Sequence, residues 1–243
     1  MIAGERCTRA CGFCAVSTAK PFALEADEPY RVAQAVGRMK LRHVVVTSVA
    51  RDDLADGGAT HFVRTIRAIR ELDPEIVIEV LTPDFNGKES SLKVVLEAQP
   101  DIFNHNVETV ERLTPAVRSR ARYRLSLEVL RRAKELDPAV VTKSGIMLGL
   151  GETEPELFQT LDHLRAVGVQ VLTLGQYLRP TPRHLPVLDY IRPETFETYK
   201  SVAEGKGFEY VASGPLVRSS YHAADYHPAR RRDISRSADC GRL

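Results

Sequence analysis

Apolar positions along the chain fall into two alternating spacings. Short β-branched runs at 42–48 (RHVVVTS), 75–81 (EIVIEVL), 101–107 (DIFNHNV), 140–148 (VVTKSGIML) and 170–176 (QVLTLGQ) read as buried strands. Between them, apolar residues recur every three or four positions: Val32, Ala35, Val36 and Met39; Phe62, Ile66 and Ile69; Leu125, Leu127, Leu130 and Ala133; Leu157, Leu161 and Leu164. That spacing predicts amphipathic helices. Strand and helix alternating repeatedly imply a parallel sheet with right-handed crossovers. With residues 1–5 counted as a first strand there are six strand–helix units, an α/β partial (β/α)6 barrel rather than the eight units of a closed TIM barrel.

In parallel barrels the segments that follow the strands build the active site. Here they are rich in polar residues. TSVARDDLADGGA (47–59) supplies Thr47, Ser48 and two glycines whose amides can approach an anionic ligand. NHNVET puts Asn104, His105, Asn106 and Glu108 at the barrel mouth, followed later by GLGE (149–152) and GQYLRPT (175–181). Asn106 and Glu108 have the donors and acceptors to hold ribose hydroxyls.

Composition narrows the classes. A formal net charge of +2 with 27% charged and 43% hydrophobic residues gives no reason to expect a nucleic-acid or membrane partner. No apolar leader or membrane-length run is present, and four cysteines in 243 residues fit a reducing cytoplasm better than a disulfide framework. The one charge run, Arg230, Arg231, Arg232 and Arg236, lies in a stretch without apolar periodicity and reads as a solvated tail, with Cys240 a bystander thiol.

Candidate chemistry concentrates in GERCTRACGFC, where Cys7, Cys11 and Cys14 follow a C-x3-C-x2-C spacing with Phe13 before the last. Thiolates favour iron–sulfur clusters, zinc or copper(I), and three of them leave a centre one protein ligand short. A cubic four-iron cluster held this way keeps one iron open for chemistry. The competing reading is zinc, its shell closed by Cys240 or a histidine.

The spacing and its aromatic resemble the radical S-adenosylmethionine (SAM) superfamily. That resemblance implies a 4Fe-4S cluster on Cys7, Cys11 and Cys14, SAM on the open iron, and its reductive cleavage to a 5'-deoxyadenosyl radical, with Phe13 beside the adenine; packing into the core accounts for Phe13 equally well. VVVTSVARDDLADGGA, EVLTPDFNG, PDIFNHNVETVERL, TKSGIMLGLGE, LTLGQYLRPTPRHLPV and SGPLVRSSYHA, in that order over residues 1 to 223, narrow the resemblance to the lipoyl synthase family. It implies insertion of two sulfur atoms at carbons six and eight of a protein-bound octanoyl-lysine. It also implies octanoylated lipoyl-carrier domains as partners (2-oxo acid dehydrogenase E2 subunits, glycine cleavage H protein), and flavodoxin or ferredoxin as electron donor. The setting would be the cytoplasm, or an organellar matrix or stroma in a eukaryote. An auxiliary 4Fe-4S cluster, the sulfur source, would take Ser219 or Ser220 of the RSSY run as a ligand; turn or capping roles are the alternative.

The chain also departs from that family. The upstream C-x4-C-x5-C of the auxiliary cluster is absent, Ala50 stands where an acid is usual, and Gly12 where proline is frequent. A late start or a fragment is the favoured explanation, so this chain alone is not expected to assemble the auxiliary cluster. A non-catalytic carrier-binding remnant and a biotin-synthase-type sulfur inserter are the alternatives. Arg218 and Tyr221 either position the auxiliary loop or pair on the surface. His105 and His184 are substrate contacts or structural histidines, and Arg51, Asp52 and Asp53 a loop brace or a carrier contact. Residues 1–223 are expected to form the barrel with its RSSY segment and 224–243 a flexible tail.

Overall fold

The computed structural model describes residues 1–221 and 223–226. One sheet of six parallel strands runs in chain order: β1 (His43–Thr47), β2 (Val77–Leu81), β3 (Ile102–Asn104), β4 (Val141–Leu148), β5 (Val171–Gln176) and β6 (Tyr210–Gly214). Its connections carry α1 (Glu28–Arg38), α2 (Ala59–Leu72), α3 (Glu89–Glu97), the one-turn α4 (Thr114–Val117), α5 (Tyr123–Leu136), α6 (Glu154–Ala166) and α7 (Pro193–Gly205). The fold is a partial parallel barrel. Helix starts follow local chemistry; α6, for example, opens on a capping box between Thr153 and Glu156 and buries Leu157, Leu161 and Leu164.

Five of the six expected strands are present within their ranges, and the other is corrected. Residues 1–5 form no strand. Ile2 makes a single parallel bridge to Ser48, its N–H donating to the Thr47 carbonyl at 2.7 Å. Ala3 and Gly4 then adopt φ of +67° and +88°, which carries the chain off the sheet edge. The sixth strand is β6, in YVASG, a run too short and too poor in large apolar residues to stand out by pattern.

Strand alternation sorts side chains to two faces. Outward, Ile78, Val80 and Phe103 pack with Val36, Phe62, Ile66 and Leu92 of α1, α2 and α3, while Ile146, Leu172, Leu174 and Val211 pack with Leu130, Leu161 and Phe196 of α5, α6 and α7. Inward, Ile102, Val141 and Val171, joined by Val77 and Tyr210, make an apolar floor. Above that floor the interior turns polar, with Glu79, Asn104 and Lys143 all buried.

Part of the expected tail belongs to the barrel. Ala223–Asp225 forms a 3-10 turn and Tyr226 packs on Tyr210 with ring centroids 5.9 Å apart, covering the floor. The remaining expected tail, including the arginine run and Cys240, lies outside the described residues. Among the described residues no helix is long and apolar enough to cross a membrane.

Because Val211 is only 4% exposed on the outward face of β6, Val211→Asp places an unpaired carboxylate in the helix–sheet core. It is expected to cost at least ~3 kcal/mol in urea unfolding.

Candidate active site

The cysteine loop has no helix or strand of its own, and its place is set by contacts to what surrounds it. Cys7 N–H donates to the Ser17 carbonyl (2.8 Å), Thr8 N–H to Ala50 (3.0 Å) and Gly12 N–H to Val117 (2.9 Å), while Leu185 N–H donates back to Gly12 (3.0 Å). A Cβ on Gly12 would lie 2.9 Å from Leu185. Proline there would both crowd Leu185 and remove the donor to Val117, so glycine suits this local packing.

The strongest tether is Arg9, between the first two cysteines and only 7% exposed. Its guanidinium makes paired hydrogen bonds to Asp52 (2.9 and 2.9 Å), from the loop after β1, and to Asp84 (2.8 and 2.6 Å), from the loop after β2. Asn86 accepts a further bond at 3.1 Å. Two bidentate carboxylates on one planar donor fix position and orientation together. Burial pushes the Asp84 carboxyl up, but hydrogen bonding and charge from Arg9 outweigh it and hold the group at about 2. Asp52 is likewise held below the ordinary carboxylate range, chiefly by its hydrogen bond from Arg9.

All three cysteines line one cavity of about 260 Å³, together with Phe13, Thr47, Ser48, Thr82, Asn106 and Glu108. Cys7 Sγ accepts N–H groups from Arg9 (3.4 Å) and Ala50 (3.3 Å), which fix its position in the loop. Burial raises the Cys11 thiol to about 11 against the opposing pull of Arg118; a bound metal converts such a thiol to thiolate. Three strand ends in succession bring a polar side chain to the wall of this cavity, Ser48 after β1, Thr82 after β2 and Asn106 after β3, and each carries a buried oxygen with no hydrogen-bond partner, that of Asn106 lying toward Gly145 and the second cavity. Buried polar atoms rarely go unpaired, so these point to a polar ligand. The thiol trio and this polar wall fit a cluster with one iron left for an amino acid cofactor.

A second cavity, about 270 Å³, shares Phe13, Asn106 and Glu108 with the first and reaches Met147, Gln176 and Ser219. Glu108 stands at the junction. Its backbone is in the left-handed region (φ +66°), knitted to β4 by Glu108 N–H to Gly145 (2.9 Å) and Met147 N–H to Glu108 (2.9 Å). Such strain in a non-glycine residue is typical of a functional position. Burial pushes its carboxyl up.

The other predicted residues sort themselves by contact. Phe13 does both things expected of an aromatic here: it lines the cavities and packs on Val117, Leu150 and Tyr177. His105 is structural, its Nδ1 donating to Thr82 (2.9 Å) and its Nε2 accepting from Ser126 (3.0 Å); burial, followed by the charge of Arg118, lowers it to about 4. His184 braces the cysteine loop, Nε2 donating to the Cys14 carbonyl at 3.1 Å and Nδ1 accepting from Thr181 at 2.8 Å. Neither histidine has a ring nitrogen to spare for closing a zinc shell, and among the described residues no three His, Cys, Asp or Glu side chains converge as for a single ion. Arg51 pairs with Asp53 (2.8 Å) and Asp52 with Arg9, so this run braces loops. The amides of Gly57 and Gly58 are spent on Leu54 and on the Asp56 side chain at the start of α2, not offered to a ligand. Ser219 faces inward, its Oγ accepting from Asn106 Nδ2 at 2.7 Å, whereas Ser220, Arg218 and Tyr221 are exposed. Arg9, Thr82 and Lys143 are not marked by the apolar pattern or by the spacing of any motif. A lone arginine between cysteines, and a lysine inside a strand otherwise reading as buried, were the available signals.

Comparison with known proteins agrees with this geometry. Residues 1–164 match the Radical SAM superfamily. Solved structures of the same fold include methylornithine synthase (TM-score 0.64, 12% identity, 97% of this chain and 84% of that one). Another is Streptococcus suis SuiB bound to S-adenosylmethionine (TM-score 0.69, 12% identity, 87% and 48%). The chain belongs to the radical SAM superfamily. Within it, the chain is 59% identical over 232 residues to lipoyl synthase of Rubrobacter xylanophilus (96% of this chain, 72% of the relative). It is 56% identical over 244 residues to that of Symbiobacterium thermophilum (99% and 76%). The particular family is therefore lipoyl synthase.

The Arg9 brace makes two measurable claims. Arg9→Ala leaves two carboxylates facing each other and is expected to cost about 3 kcal/mol in chemical unfolding. Since the folded Asp84 carboxyl sits at about 2, below an unfolded value near ~4, its contribution is complete above pH ~4 and disappears as pH falls toward 2. Melting temperature against pH should show that decline in the parent chain, and Asp84→Asn should remove this component.

Proposed function

We propose that the chain carries out the radical step of lipoyl synthesis, converting protein-bound octanoyl-lysine toward the dithiolated product. What supports this reading is that Cys7, Cys11 and Cys14 line one cavity together with Ser48, Thr82 and Asn106, three polar side chains that each carry a buried oxygen without a hydrogen-bond partner. When bound, a 4Fe-4S cluster and SAM supply a 5'-deoxyadenosyl radical able to take hydrogen from unactivated carbon. Cys7, Cys11 and Cys14 hold the cluster. Thr47 and Ser48, lining the same cavity, would orient the methionyl end, Asn106 and Glu108 would hold the ribose, and Phe13 would shield the nucleoside from water. None of these side chains acts as a base toward the acyl chain, whose carbons are too weakly acidic for any carboxylate or imidazole.

Of the RSSY serines, Ser220 is assigned as the auxiliary-cluster ligand under this reading, because it is exposed while Ser219 Oγ already accepts from Asn106. Octanoylated lipoyl domains are the substrates under this reading, a flavodoxin or ferredoxin the electron donor, and a reducing compartment such as the cytoplasm the setting.

Anaerobic reconstitution with iron and sulfide tests the radical step. The reconstituted chain should form 5'-deoxyadenosine from SAM only with reductant, and Cys11→Ala should abolish this with loss of bound iron. Glu108→Gln should weaken SAM binding about tenfold, near 1.4 kcal/mol. A fully formed cluster that yields no 5'-deoxyadenosine would overturn the proposal.

A further inference from the structure

Two charges are buried inside the barrel above its apolar floor, away from the cysteines. Glu79 of β2 is 0% exposed and Lys143 of β4 is 3% exposed, with Lys143 Nζ 2.9 Å from Glu79 Oε2. Asn104 of β3, lying between them, donates to Glu79 Oε1 at 2.7 Å, and His43 Nε2 of β1 stands 3.7 Å from the same carboxylate. Burial pushes the Glu79 carboxyl up, yet His43, Lys143 and Asn104 together hold it below its ordinary value, so it is ionised. A buried ion pair is a poor way to stabilise a core, since apolar residues of similar volume often do as well or better. Its retention calls for another role.

The other partner of Lys143 supplies one. Nζ donates to the Ser219 carbonyl at 2.7 Å, reaching from the barrel interior to the RSSY turn. That turn follows β6, and its local bonds include Val217 N–H to Gly214 (3.1 Å), Tyr221 N–H to Arg218 (2.8 Å), Ala223 N–H to Ser220 (3.4 Å) and Arg218 Nη1 to Val217 (2.7 Å). Asn106 holds the Ser219 hydroxyl. Beneath the turn, a Cβ on Gly175 of β5 would come within 2.2 Å of the Val217 carbonyl oxygen, so the turn lies directly on strand backbone.

We propose that the Glu79–Lys143 pair is a positioning device for the RSSY turn, in which Glu79 orients Lys143 and Lys143 latches the Ser219 carbonyl. The latch sets Ser219 against the second cavity and Ser220 outward beside it. Lys143 touches neither cavity; it acts through the turn. The importance of the turn to sulfur insertion rests on the function proposed above, but the latch itself does not.

Hydrogen exchange read by mass spectrometry on the purified chain tests it without any cofactor. In Lys143→Met, amide exchange at Val217 and Tyr221 should rise at least ~10-fold, while the β4–β5 ladder keeps its protection. Should that variant fail to fold because Glu79 is left unpaired, the neutral pair Glu79→Gln with Lys143→Met decides the matter. It should melt no lower than the parent and still exchange fast at the turn. Gly175→Ala, which leaves the charges intact, should produce the same local loosening. Unchanged turn exchange in the charge variants, or a uniform rise across β2, β4 and the turn, would overturn the proposal. The functional reading stands or falls separately, on 5'-deoxyadenosine formation by the unmodified chain.

Discussion

The site depends on one buried guanidinium. A loop that must hold three thiols around a cavity, with no regular secondary structure of its own, is only as well placed as the groups that grip it. Arg9 grips from the middle of that loop, its planar donors divided between Asp52 and Asp84 at 2.6 to 2.9 Å. Because those carboxylates sit on the loops after β1 and β2, the brace ties the cysteines to two strand ends of the barrel. Asp52 also accepts from the Thr8 hydroxyl and the Asn86 amide, so the clamp is a network rather than a pair. On the far side of the loop, the His184 ring donates to the Cys14 carbonyl and the Gly12 backbone bonds to Val117 and Leu185.

The barrel solves a second placement problem by the same means. The RSSY turn arrives from the end of the sheet, more than a hundred residues after Asn106 in the chain, and must settle beside the strand ends that line the cavities. Glycine at 175 lets its backbone lie close, Asn106 takes the Ser219 side chain and Lys143 its carbonyl. The cysteine loop and the RSSY turn are thus fixed to the sheet by charged or amide side chains, while the apolar packing of helices on its outer face supplies most of the core.

The sequence made the alternation of strand and helix legible because period-two and period-three-to-four patterns are set by backbone geometry, and five strands fell where that pattern put them. It failed at residues 1–5, where positive φ at Ala3 and Gly4 breaks a strand that composition alone permits, and at β6, whose short YVASG run carries little apolar signal. The cysteine trio stood out by its spacing and Ser48, Asn106 and Glu108 by following successive strands, and all of them line the first cavity. Arg9 and Lys143 were not, since a long basic side chain looks alike in sequence whether it waves in solvent or latches a distant loop. Only the fold decides which. Likewise, the glycine pair at 57–58 carried the composition of an anion cradle, but its amides are consumed in starting α2.

If Cys7, Cys11 and Cys14 hold a four-iron cluster as proposed, one iron would stay open to the amino acid end of SAM beside Ser48, Thr82 and Asn106. Electron–nuclear double resonance on the reduced, reconstituted chain with SAM labelled at its amino nitrogen measures this directly. The account predicts a hyperfine coupling between that nitrogen and the cluster, strong enough to require direct coordination. A reduced four-iron signal with SAM bound and no such coupling would contradict it.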